Sequence, residues 1–168
     1  MTQLAERKAI IARHQADYPV QTVPIANDLG LKVYRVGNWP DDTSGMLKRD
    51  ATAGGSSGFA IYVNAKHARV RRRFTIAHEI AHFVLHQSLI GEGIVEDYLM
   101  RAEGFSSSIE SQANKFAADI LMPDHLIDKA RLNGLTSVSD LAKNFEVSKD
   151  AMSIRLYKTA YSNLLFED

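Results

Sequence analysis

Arg73-Phe74-Thr75-Ile76-Ala77-His78-Glu79-Ile80-Ala81-His82-Phe83-Val84-Leu85-His86 is the stretch whose reading decides the fold. It sets an H-E-x-x-H pattern inside an apolar helical repeat. On a helix, His78 and His82 are separated by about 400° of rotation and roughly 6 Å of rise, so both imidazoles leave one face a turn apart. That spacing suits one divalent ion. Glu79 lies beside the pair without being forced to bind, the position expected of a general base acting on water at a zinc ion. In a shuffled chain of this composition the pattern arises roughly once in a hundred sequences, so its context has to carry the reading. No proline or glycine interrupts Ala65 to Ile90, and Phe74, Ala77, Ala81, Val84 and Leu85 form a core-facing stripe. Two histidines and a glutamate on a buried helix are costly unless something satisfies them, and a metal does so.

Composition limits the alternatives. The chain has 168 residues, zero formal charge and no cysteine. That length suits one compact unit with a small appendage. Interspersed acids and bases advertise neither nucleic acid nor an anionic membrane. Without thiols, a metal site has only His, Asp and Glu to draw on. Met1 to Asp17 lacks a signal-peptide pattern, and no apolar run is long enough to cross a bilayer. The expected setting is cytoplasmic.

Outward from the metal helix, Leu4–His14 reads as an amphipathic helix and Val23–Leu29 as a short one, with Pro24 in its first turn and Gly30 ending it. His14 and His125 read as surface residues. Lys32–Val36 alternates with the period of a strand, and Ser44–Lys48 is a candidate for another. Phe59–Asn64 is the strongest strand signal. By analogy with several zinc peptidases, a strand just before the metal helix is expected to wall the cleft and pair with extended substrate, against the plainer reading of an ordinary sheet strand. Arg69, Arg71, Arg72 and Arg73 crowd the helix start and read as a solvated face, with a peptide or nucleic-acid contact as the weaker alternative.

Three histidines spaced by four climb about 12 Å along a helix, too far for one ion, so His86 is expected to hydrogen-bond rather than ligate. The third ligand comes from elsewhere. A helical piece is expected around Val95–Arg101, and a second helix runs from Ile109 until Pro123 stops it. On that helix Glu110, Asn114, Ala117 and Leu121 share a stripe whose first two members are polar. If it packs beside the first helix, Glu110 completes a His-His-Glu site with one position left for water. Glu103 and Asp119 rank below it. Asn114 is a candidate to orient a ligand, with a helix-to-loop hydrogen bond as the equal alternative.

With these residues in place, Arg72–His82 and Glu110–Pro123 together resemble the ImmA/IrrE family of zinc metallo-endopeptidases, over about Asp28 to Tyr157. The resemblance implies an α+β, zincin-like metallopeptidase core, with a small sheet packed on the H-E-x-x-H helix, over 1–123. It implies a helix-turn-helix-like helical segment over 124–168. It further implies His78, His82 and Glu110 as metal ligands and Glu79 as catalytic base. The implied activity is zinc-dependent cleavage of a specific protein, a helix-turn-helix repressor encoded nearby. Manganese or iron could fill the same nitrogen and oxygen set. Tyr62, Tyr98 and His86 remain open as the group assisting the oxyanion. The alternative is a zinc-stabilised regulatory or DNA-binding module with little or no proteolysis. Val138–Phe145 and Lys149–Lys158 read as two helices around a tight turn, with Ser137 and Ser148 as N-caps. In 124–168, however, six bases face seven acids, and Glu146 sits where DNA-binding versions commonly carry glycine. Direct DNA binding is therefore not expected.

Overall fold

The structure is a computed structural model that describes residues 1–90, 94–95 and 106–157. Its elements in chain order are α1 (Gln3–Arg13), α2 (Thr22–Asp28), β1 (Leu31–Val36), β2 (Gly45–Arg49), β3 (Phe59–Asn64), α3 (Arg69–His86), a single 3-10 turn at Gln87–Leu89, and β4 (Ile94–Val95). Among the described residues four more helices follow: α4 (Ser106–Leu121), α5 (Asp124–Leu132), α6 (Val138–Phe145) and α7 (Lys149–Tyr157). The chain is α+β and mostly helical, and no helix of the described residues is long and apolar enough to cross a membrane.

Local chemistry accounts for several of these boundaries. The Thr2 hydroxyl accepts from the Ala5 N–H and caps α1, and Ser137 does the same for α6 through the Asp140 N–H. Ser148 accepts from the Ala151 N–H at the start of α7. Pro24 sits in the first turn of α2, and Gly30, just past its end, takes the positive φ of 83° that a side chain resists. Val95, expected to open a helical piece, is instead in β4; the rest of that expected piece, 96–101, lies outside the described residues, as do Tyr98 and Glu103.

The sheet order is β1-β3-β2-β4. β1 runs parallel to β3 from Leu31↔Phe59 to Val36↔Asn64, β2 pairs antiparallel with β3, and β4 adds a two-residue antiparallel rung at Leu47 and Lys48. This corrects the expected role of β3. It is the centre of the sheet, paired along both edges, and has no edge to offer an extended substrate. The sign was present in its composition: Phe59, Ala60, Ile61 and Val63 are all buried, and a near-continuous apolar run marks a strand covered on both faces. Pairing register puts Val33, Ile61 and Leu47 on one face and Tyr34, Tyr62 and Met46 on the other.

Helix α3 packs against β2, β3 and, most extensively, α4. Phe83 meets Phe59 edge to face at 5.4 Å, carrying the helix onto the central strand. One hydrophobic cluster runs from Ile11 through Leu47, Ile61, Ile80 and Ile120 to Phe145 and Leu156, so the C-terminal helices share it.

Arg73 departs from the solvated face expected of its neighbours. It is 5% exposed, and its guanidinium donates to the carbonyls of Val20 (2.8 Å), Glu146 (3.1 Å) and Phe145 (3.3 Å). The Glu146 carboxylate stands 3.4 Å from Arg73 Nε and 3.0 Å from exposed Arg69. Burial pulls the Arg73 guanidinium below its ordinary range while Glu146 pulls it back. Glu146 occupies the left-handed region (φ 52°), a conformation uncommon for a side-chain residue, in the turn between α6 and α7. Its two arginine partners hold it there.

Candidate metal centre

Each residue of the centre is placed by an element already described. Positions 78 and 82 fall on successive turns of α3, and α4 delivers Glu110 opposite them. The Nε2 atoms of His78 and His82 are 3.0 Å apart, and the Glu110 carboxylate lies 3.1 Å from the first and 3.0 Å from the second. Zinc bound tetrahedrally at about 2.0–2.1 Å keeps neighbouring ligand atoms about 3.3 Å apart. The observed triangle matches that spacing to within a few tenths of an ångström. His78, His82 and Glu110 thus form a group that could hold a metal ion.

The hydrogen bonds of the rings sharpen this fit. His78 Nδ1 is 2.9 Å from Asn114 Oδ1, an acceptor, so Nδ1 carries the proton and Nε2 presents its lone pair to the centre. Glu110 Oε1 is buried and accepts no hydrogen bond, although His82 Nε2 is only 3.0 Å away. Lone pairs converging on one point from two imidazoles and a carboxylate repel one another unless a cation stands between them.

Glu79 is 3% exposed and reaches toward the start of β2. A methyl built on Gly45 would lie 3.4 Å from Glu79 Oε1 and 2.3 Å from Thr75 Cγ2, so only glycine allows β2 to pass this close to α3. The start of β2 therefore lies beside the candidate base.

The remaining expected residues divide cleanly. His86 lies against His82, with 3.1 Å between their Nδ1 atoms, and 3.0 Å from Gln112 Oε1. Burial holds its imidazole below the usual range. Asn114 bonds His78, as expected of a ligand-orienting group. Asp119 binds Arg155 and is no rival ligand. Tyr62 is directed elsewhere: its ring stacks on Tyr34 at 5.3 Å and its hydroxyl donates to Asp50. His14 pairs with Asp28, and exposed His125 bonds the Gln15 carbonyl. Two residues escaped the sequence reading. Gln112 looks like any polar residue on an exposed helical face, and only its spacing of two from Glu110 and Asn114 could have drawn attention. His67, buried and bonded to the Asp41 carbonyl, gave no signal in the sequence.

An α+β chain in which one helix supplies two imidazoles and a buried glutamate, and a second helix adds a carboxylate, has the makings of a metallopeptidase. The chain belongs to the peptidase M78 family, whose model for the IrrE N-terminal-like domain matches residues 28–157. The resemblance carried by the two motifs is thereby borne out. No curated protein matches the chain. Nine chains of known structure do, among them a Mycobacterium tuberculosis transcriptional regulator with 17% identity and a TM-score of 0.62. The match covers 94% of this chain and 47% of that one, so this chain spans about half the regulator's length. At that identity the likeness shows the fold alone.

Proposed function

We propose that this chain is a zinc-dependent endopeptidase that cleaves a specific protein substrate, a helix-turn-helix transcription repressor encoded nearby. The observation that carries the reading is the triangle of His78 Nε2, His82 Nε2 and Glu110 carboxylate with 3.0–3.1 Å edges, two of its corners on the helix that also carries buried Glu79. His78, His82 and Glu110 would hold the ion. When bound, the metal supplies a Lewis acid that polarises the scissile carbonyl and makes water easier to deprotonate. Glu79 accepts the proton of the attacking water and returns it to the leaving amine nitrogen. The Gly45 end of β2 lies against this carboxylate.

Manganese or iron would suit the same donors, and metal analysis of the purified protein decides among them. The balance of six bases against seven acids in 124–168 supports a protein-facing role for that segment. The test is incubation of zinc-loaded protein with the purified product of the neighbouring repressor gene. A single defined cut that chelator abolishes and zinc restores is the expected result. Intact repressor together with salt-dependent DNA binding by this chain would replace the proposal with a regulatory module.

A further inference from the structure

We infer that His86 and Gln112 are positioning residues for the metal-facing imidazole of His82: a one-way chain of hydrogen bonds leaves its Nε2 bare and aimed at the centre. The inference rests on the metal-binding role proposed for His78, His82 and Glu110.

The direction of the chain is set at its outer end. Gln112 Nε2 donates to Ser108 Oγ at 3.4 Å, which turns Oε1 toward His86 Nε2 at 3.0 Å. An amide oxygen can only accept, so His86 carries its proton on Nε2. In the neutral ring Nδ1 is then an acceptor. The 3.1 Å contact between the Nδ1 atoms of His86 and His82 is closed by a proton from His82. A His82 protonated on Nδ1 has no proton on Nε2, the atom 3.0 Å from both His78 Nε2 and Glu110 Oε1. Reversing any one link would put a hydrogen into the space the ion needs. His86 is 4% exposed, so water cannot easily substitute as its partner.

The same logic runs in parallel for His78, where Asn114 takes the Nδ1 proton directly. Both ligands therefore end on carboxamide oxygens, one at first hand and one through a second imidazole. Outer partners of this kind fix ring orientation and tautomer, and their loss weakens metal affinity roughly 10- to 100-fold. Helix α4 thus contributes Glu110 to the ion, Asn114 to one ring and Gln112 to the other by way of His86. Position 86, too far along α3 to ligate, acquires a role from the chain it completes.

Zinc affinity measured by competition with a chromophoric chelator tests this, together with nitrogen-15 NMR of the histidine rings in metal-free protein at alkaline pH. His86→Phe, which fills the space without an acceptor, is expected to weaken zinc binding about tenfold or more. His86→Gln, whose carboxamide oxygen can accept from His82 Nδ1–H, is expected to stay within about threefold of wild type. A role in packing alone would favour the phenylalanine. Gln112→Met, at an exposed position, is expected to weaken zinc binding about tenfold and serves if the His86 variants do not fold; an affinity within about threefold of wild type would count against the inference. The NMR spectrum is expected to show the His86 proton on Nε2. Equal affinities for the two His86 variants, or a proton on His86 Nδ1, would overturn the inference. Wild-type protein that takes up no zinc would instead overturn the proposed function, and the ring spectrum would then judge the hydrogen-bond chain alone.

Discussion

Replacing Arg73 by leucine removes the charge that fastens the start of α3 to two distant parts of the chain. Three carbonyls, of Val20, Phe145 and Glu146, lose their donor at once. Each buried acceptor left unpaired costs about 1–3 kcal/mol, partly offset because the arginine no longer has to be desolvated. The net loss is expected to be about 3–5 kcal/mol, the range for breaking a buried ionic network. For a chain of this size that corresponds to a fall in Tm of about 6–20 °C. Glu146→Gln supplies the control. Its carboxylate is one-third exposed and the backbone carbonyls remain to hold Arg73, so the loss should be no more than about 1 kcal/mol. Urea denaturation of the two variants, followed by far-ultraviolet circular dichroism, reads both numbers. The reasoning fails if Arg73→Leu comes within about 1 kcal/mol of wild type, or if the two variants lose equal stability.

Two further outcomes follow from the centre and its neighbouring strand. Glu79→Gln should retain one zinc per chain by elemental analysis while cleavage falls about 10²- to 10⁴-fold, whereas His82→Ala should lose both metal and cleavage. A metal-loaded Glu79→Gln protein that still cuts at the wild-type rate would remove Glu79 from the role of base. Gly45→Ala brings a methyl to 2.3 Å from Thr75 Cγ2 and should cost about 1–3 kcal/mol in urea unfolding. Adding Thr75→Ser removes the obstructing methyl and should restore most of that loss. Absence of rescue would mean that β2 does not press on α3 there.

The parts of this protein visible in its sequence are those governed by local geometry. The four-residue spacing of His78 and His82 fixes their common face whatever surrounds the helix, and the polar pair Glu110 and Asn114 interrupts a stripe otherwise suited to burial. Caps at Ser137 and Ser148 were equally legible, because an N-cap answers only to the next few N–H groups. Strand order was not, since pairing joins residues far apart along the chain and period-two patterning does not say which strand lies in the middle. That is why β3 was placed at a cleft edge it does not have. Arg73 was hidden by its company: in a run of four arginines nothing local separates the one whose carbonyl partners arrive from positions 20, 145 and 146. Gln112 was missed for a related reason, as its value depends on a ring contributed by another helix.

The convergence of His82 and Glu110 has a consequence for folding as well as for chemistry. An ion held by both would act as a clip, closing the chain between α3 and α4 into a loop. Closing such a loop restricts the unfolded ensemble, and the resulting gain grows only slowly with loop length. Binding that requires ligands from both helices is also linked to the folded state by mass action. The ion would therefore knit together the two helices that display it, so that stripping it should loosen the region around α4 even where no peptide bond is ever presented for cleavage.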